Sequence, residues 1–175
     1  MNVPDVRVRE ALRTDLPGVL TVQHDAFSRV ANALGIEPSD LPPLQESLGQ
    51  LETLFSSGTR FFVAVDSLER IVGSVRGSER DGIVDIGRLV VASGWERQGI
   101  ATRLVVTLEA SYAQADGFVL FTGADAIEPL ALYGKLGYAI TRRDATGPVA
   151  LVWLEKRNRQ VTNVSSRDAS ADGIL

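Results

Sequence analysis

Two places in the sequence carry residue types and spacing that can do chemistry. In "WERQGIATRL", residues 95 to 104, a polar run meets Gly99, and a helical apolar pattern starts directly after it. The preceding "IGRLVVA" reads as a strand. A strand feeding a short turn and a helix aims the helix's first unpaired N–H groups, with their partial positive charge, at whatever lies in front of them. Such a turn can hold a phosphate or pyrophosphate. Gly99 and Ala101 are small enough to let a ligand approach the backbone, and Arg97 and Thr102 add side-chain donors. The same residues also fit a plain tight bend between strand and helix. No Gly-Lys-Ser/Thr follows, so this is not a Walker loop, and a single glycine in the turn does not make the dinucleotide fingerprint. The second place is Asp85, which interrupts the apolar strand "GIVDIGRLVV". Apolar surroundings raise a carboxyl pKa towards values useful to a general base. Strand alternation sets Asp85 on one face with Ile83, Gly87 and Leu89, barring a bulge. It reads equally as a solvent-facing carboxylate paired with Arg88 or Arg76.

Composition removes other chemistries. Cysteine is absent, so disulfides, thiolate metal sites and a cysteine nucleophile are excluded. A single histidine, His24, leaves no multi-histidine metal cluster, and no metal is expected. His24 reads as a pocket base or as an ordinary boundary residue of the first helix. The net charge of −4 does not suggest nucleic acid or an anionic membrane as partner. No apolar run approaches the ~20 residues of a membrane span, and the N-terminus lacks the apolar core of a signal peptide. A cytoplasmic protein is expected.

The elements that must position these residues follow from pattern. "VRVREAL" alternates as a first strand, and "RTDLPGVLTVQHDAF" follows as a helix with Leu16, Val19, Leu20, Val22 and Phe27 on its apolar side. After the breaker "GIEPSDLPP", the run "LQESLGQLETLF" predicts one second helix. "RFFVAVD", "RIVGSVRG" and "GIVDIGRLVVA" are strands. Gly99 to about Ala115 is a helix, "FVLFTG" a short buried strand and "PLALYGKLG" a short helix. "YAITRR" and "VALVWLEKR" close the fold as strands. The order is βααβββαβαββ, an α/β (α+β mixed) fold with a mostly antiparallel central sheet flanked by helices. The strand–helix–strand unit from 83 to 123 should be its parallel crossover. One domain is expected over residues 1–157, with 158–175 as a polar, aperiodic and disordered tail.

The longer window "IGRLVVASGWERQGIATRLVVTLEA" resembles the acetyl-CoA motif of the GNAT superfamily of acyl-CoA-dependent N-acyltransferases. That motif is a strand ending in a Leu-x-Val run, then Gln/Arg-x-x-Gly-x-Gly/Ala opening a helix. Downstream, "LALYGKLGY" resembles the family's Tyr-x-x-x-Gly-Phe/Tyr element through Tyr133, Gly137 and Tyr138. "VREALRTDLPGVLTV" is similar to its opening strand and helix. The resemblance covers roughly residues 5 to 157 and is specific to the superfamily, not to a substrate.

What it implies is acetyl transfer from acetyl-CoA to a primary amine of a small molecule or a protein. The backbone of Leu89, Val90 and Val91 would pair with the pantetheine arm and serve the oxyanion. The backbone of Arg97, Gln98, Gly99, Ile100, Ala101 and Thr102 would cradle the pyrophosphate. Tyr133 would be the general acid for the departing thiolate, and Asp85 the candidate base, with ordered water as the other route. The sequence departs from the family pattern twice. Glu96 stands where Gln or Arg is usual. Ala126 stands where many members carry an Asn that bonds the cofactor, a loss of about 0.5–1.5 kcal/mol. Trp95 either covers the adenine or packs under the loop. A non-catalytic acyl-CoA sensor on the same fold and an ordinary nucleotide-binding α/β domain are the competing readings. A homodimer is one assembly the sequence allows.

Overall fold

The computed structural model describes residues 5–158. The strands are β1 (Arg7–Glu10), β2 (Arg60–Val65), β3 (Ile71–Arg80), β4 (Ile83–Val91), β5 (Gly117–Gly123), β6 (Ala139–Asp144) and β7 (Leu151–Arg157). The helices are α1 (Leu16–Leu34), α2 (Pro42–Gln45), α3 (Leu48–Ser56), α4 (Ile100–Ser111) and α5 (Ile127–Lys135). The seven strands form one sheet in the order β1-β2-β3-β4-β5-β7-β6. Every neighbouring pair is antiparallel except β4 and β5, which α4 joins as a parallel crossover. The mixed, mostly antiparallel sheet flanked by helices is the architecture expected.

The sheet is covered on both faces, and β2 shows how. Its run "RFFVAV" is buried along nearly its whole length because both sides of the pleat are used. Phe62 and Ala64 join a core with Ile100, Leu104, Val105 and Leu108 of α4. Phe61, Val63 and Val65 join a second core with Leu16 and Val19 of α1 and Leu51 of α3. Burying a side chain of that size contributes roughly 1.5–3 kcal/mol, so the two cores fix both helical layers to the strands between them.

The helix expected over residues 44–55 is two helices. Pro42 and Pro43 open a single turn, α2, and the chain is extended at Glu46 and Ser47 before α3 begins. The cause is a capping box: Ser47 Oγ accepts from Gln50 N at 3.3 Å, and Gln50 Oε1 accepts from Ser47 N at 2.7 Å. A chain capped there cannot also be helical there, and the break releases Glu46 towards the sheet. α4 also ends earlier than expected, at Ser111. The expected tail lies, apart from Asn158, outside the described residues. Asn158 N donates to Asp116 O at 2.9 Å, tying the end of β7 to the α4–β5 turn. Among the described residues, no helix is long and apolar enough to cross a membrane.

Candidate active site

The parallel pairing of β4 with β5 runs only through Ile83↔Gly117, Val84↔Phe118 and Asp85↔Val119. Beyond Asp85 the two strands diverge, and among the described residues the backbone of β4 up to Val91 has no strand beside it on that edge. The divergence coincides with a bulge. On β3, Ser74 and Arg76 are two residues apart, but their partners Val90 and Gly87 are three apart. The extra residue is accommodated with Arg88 at φ 54°, a conformation that non-glycine residues seldom adopt. The bulge corrects the simple alternation: Gly87 stays on the face of Asp85, whereas Leu89 packs against the α4-side core. Ala92 N donates to Val72 O at 2.8 Å, so Ala92 faces β3 and the amide and carbonyl of Val91 face the opening. Val91 O accepts there from Arg29 Nη2 of α1 at 3.2 Å.

The mouth of this opening is the turn before α4. Gly99 is the residue preceding the helix, at φ 75°, and Arg97 is also left-handed at φ 57°. Alternating left-handed residues curl successive N–H groups towards one point, a nest for an anion. Among the described residues no side chain caps α4, and its first intrahelical bond from this turn is Arg103 N to Gly99 O at 3.0 Å. The N–H groups of Ile100, Ala101 and Thr102 therefore point outward unspent. A Cβ built on Gly99 meets nothing within 4 Å, so no described residue crowds the turn at Gly99. Glu96 does not intrude: its carboxylate accepts from Gly94 N at 2.7 Å and lies 3.7 Å from Arg29. Gln98 Nε2 donates to Gly94 O at 3.2 Å and steadies the turn. Trp95 is half-buried against the α4-side core, the packing role of its two readings. These features fit a pyrophosphate at the α4 turn and an extended arm along β4.

Tyr133 lies on α5 with 6% of its surface exposed. Its ring meets that of Tyr138 edge to face at 5.7 Å. Burial pushes its hydroxyl up to about 12. The three tyrosines differ in one respect. Tyr112 donates to Gly77 O at 2.8 Å and Tyr138 to Glu109 Oε1 at 2.6 Å, whereas Tyr133 makes no hydrogen bond among the described residues. Tyr138 is held well above its usual range by burial and by that bond to Glu109, whose other oxygen takes Lys156 Nζ at 2.6 Å. The Tyr138 proton is committed, and that of Tyr133 is not. Ala126 immediately precedes α5; its N donates to Gly123 O at 3.1 Å, and its methyl offers no polar group to a ligand.

Asp85 is exposed at the point where the strands part. Partial desolvation raises its pKa, against the pull of Arg76 and Arg88. It forms no ion pair among the described residues. Glu46, freed at the α2–α3 break, takes both arginines. Arg76 Nη1 and Nη2 reach it at 3.0 and 2.7 Å, and Arg88 Nε and Nη2 at 3.2 and 2.7 Å. Gln23 Nε2 adds a bond of 2.8 Å, and His24 Nε2 contacts Glu46 O at 3.0 Å. The spelling Ser47-x-x-Gln50 was the available signal for the break, although nothing in it names the arginines. No group of three or more His, Cys, Asp or Glu able to hold a metal occurs among the described residues.

Burial alone would raise Glu46, but hydrogen bonds from Arg76, Arg88 and Gln23 overrule it and hold the carboxyl at about 2. Because the folded value is depressed, the stabilisation is full above about pH 5 and fades as pH falls towards 2. Allowing for solvent screening of a partly exposed group, it amounts to roughly 1–3 kcal/mol. Urea unfolding should therefore show a gap between wild type and Glu46→Gln that is widest near neutrality and narrows below about pH 4.5. A gap independent of pH would assign the loss to shape rather than charge.

Residues 57–140, from just before β2 into β6, match the family model of the acetyltransferase (GNAT) domain. No curated protein sequence matches the chain. Among solved structures, the PaiA N-acetyltransferase of Thermoplasma acidophilum in complex with coenzyme A is similar, with a TM-score of 0.73 at 15% identity, over 87% of this chain and 99% of that one. A phosphinothricin acetyltransferase of Sinorhizobium meliloti in complex with AcCoA gives a TM-score of 0.71 at 18% identity, over 87% and 88%. A ribosomal-protein-alanine N-acetyltransferase of Brucella melitensis gives 0.69 at 22%, over 86% and 99%. The matched residues span both the parted β4–β5 pair and the uncapped helix at its mouth, so the segment that forms the candidate site is similar to the acetyltransferase (GNAT) domain, and these solved structures share its fold.

Proposed function

We propose that this chain is an N-acetyltransferase that moves the acetyl group of acetyl-CoA to a primary amine of a small molecule or a protein, by direct attack and without a covalent enzyme intermediate. The observation that carries this reading is the parting of β4 from β5 at Asp85, with the bare α4 N-terminus at its mouth. Bound acetyl-CoA would supply an acetyl group activated as a thioester. The N–H groups of the turn from Arg97 to Thr102 hold its pyrophosphate, and the open edge of β4 from Leu89 to Val91 orients its arm. Backbone N–H groups of that edge also donate to the carbonyl oxygen as negative charge grows on it.

A free alkylamine has a pKa near ~10, so at neutral pH it must shed a proton before it attacks. Asp85 takes that proton directly or through water. The amine adds to the carbonyl carbon, the C–S bond then breaks as Tyr133 gives its proton to the departing sulfur, and the remaining extra proton on the nitrogen passes through water to the Tyr133 phenolate and restores it. The experiment is a panel of amines with acetyl-CoA, followed by release of free CoA. Turnover of at least one amine supports the reading. Binding of acetyl-CoA without turnover across the panel would leave an acyl-CoA-binding module, and a preference for ATP or NAD would leave a nucleotide-binding domain.

Gly99→Val tests the cradle. A β-branched residue at φ 75° is strained by roughly 1–2 kcal/mol, and relief of that strain rotates the N–H groups away from the anion. Calorimetric titration should show acetyl-CoA affinity reduced about tenfold or more, since 1.4 kcal/mol is tenfold, with an unchanged circular dichroism spectrum. Unchanged affinity in the folded variant would make the turn a bend and nothing more.

A further inference from the structure

Asp85 has two cationic neighbours and pairs with neither. Arg76 stands opposite Gly87 and Asp85 opposite Ser78, so Arg76 and Asp85 are diagonal neighbours on one sheet face. That separation, roughly 7–8 Å between backbones, is easily spanned by an arginine. Arg88 sits on the bulge, three residues along the same strand. Either guanidinium, left free, would close on the carboxylate. Both are instead drawn to Glu46, with Arg76 Nη2 and Arg88 Nη2 each 2.7 Å from its Oε1. Glu46 is itself fixed by the Ser47 capping box, by Gln23, and by the contact of His24 with its carbonyl. The charges that act on Asp85 are Arg76 from β3 and Arg88 from β4. β5 sets the apolar Val119 beside it, and the helical layer brings Glu46 and His24 to the arginines. Next to Asp85, a Cβ on Gly87 would meet nothing within 4 Å, so the face there is open.

We propose that Glu46 is a positioning residue of the transfer: its clasp holds Arg76 and Arg88 off Asp85, leaving that carboxylate unpaired beside the open face over Gly87, where the amine loses its proton. The proposal rests on Asp85 acting as the base. An aspartate beside an unopposed arginine titrates about 1–3 units lower and becomes a poorer base. Glu46 therefore acts by occupying the cations, without touching either substrate.

The test follows the Asp85 carboxyl carbon by NMR titration, together with the pH profile of kcat/KM. In Glu46→Gln, the Asp85 titration should fall by about 1–3 pH units. The acid limb of the rate profile should fall with it, and kcat/KM at pH 7 should drop about tenfold. Adding Arg76→Gln and Arg88→Gln to that variant should return the titration to the wild-type value or above. An unchanged Asp85 titration in folded Glu46→Gln would overturn the proposal. A lowered titration with an unchanged rate profile would also overturn it, and would remove Asp85 as the base at the same time. If Glu46→Gln does not fold, Glu46→Asp reads the same effect, because the shorter carboxylate cannot hold both arginines. It should give a smaller downward shift, and no shift would be contrary.

Discussion

Tyr133→Phe should lower kcat by between about 10²- and 10⁴-fold, the usual worth of a positioned acid, with little change in acetyl-CoA affinity. The substitution removes one hydroxyl that bonds nothing among the described residues, and it leaves the ring against Tyr138. Stability should therefore hold. The pH dependence has a definite sign. Burial holds the Tyr133 hydroxyl at about 12, so it stays protonated throughout the working range. Wild type should show no basic limb from this group below about pH 11, and the loss in Tyr133→Phe should be similar from pH 6 to 10. A donor at about 12 is mismatched to an ordinary thiol near ~8.5. The mismatch shrinks because a thiolate forming beside the same buried ring is also deprived of water, which raises its own proton affinity. Tyr138→Phe is the control. Its proton belongs to Glu109, so its loss should show in the melting temperature rather than in kcat. A fully active Tyr133→Phe would return Tyr133 to a packing role.

What was legible in the sequence is what short-range pattern encodes. Ile100, Leu104, Val105 and Leu108 announce α4 by their period, and Gly99 before them marks its start. The strand–helix–strand unit around them implied the parallel pair that later parts. Two features were out of reach for different reasons. The bulge at Arg88 puts an arginine in a left-handed conformation, and no residue preference signals that; only the register with Ser74 and Arg76 reveals it. The Glu46 clasp joins residues separated by 30 and 42 positions, and it depends on a helix break whose cap was readable but whose consequence was not. Asp85 was visible as an odd carboxylate in an apolar strand, yet its freedom from Arg76 and Arg88 depends on that distant glutamate.

Asp85→Asn should lower kcat/KM by about 10²-fold, at the lower end of general-base contributions. The loss should be greatest on the acid side of the profile, where nearly all of the amine is ammonium. The rising limb of the wild-type profile should vanish or move. Stability should go the other way. Asp85 has a folded pKa raised by desolvation, which Arg76 and Arg88 only partly offset. A carboxyl raised in this way contributes its stability below its unfolded pKa of ~3.9 and loses it as pH rises through the folded value. At neutral pH the wild-type protein therefore bears the cost of a charged, partly desolvated group with no ion-pair partner among the described residues. Asparagine has the same shape without the charge, so the melting temperature of Asp85→Asn at pH 7 should equal or exceed that of wild type. A slower enzyme that is no less stable is the signature of a group kept for chemistry rather than for the fold. A wild-type pH profile reproduced unchanged by Asp85→Asn would remove Asp85 from the reaction and leave deprotonation to water. A lower melting temperature would instead mean that Asp85 is held by the arginines after all, and that its carboxylate serves the sheet.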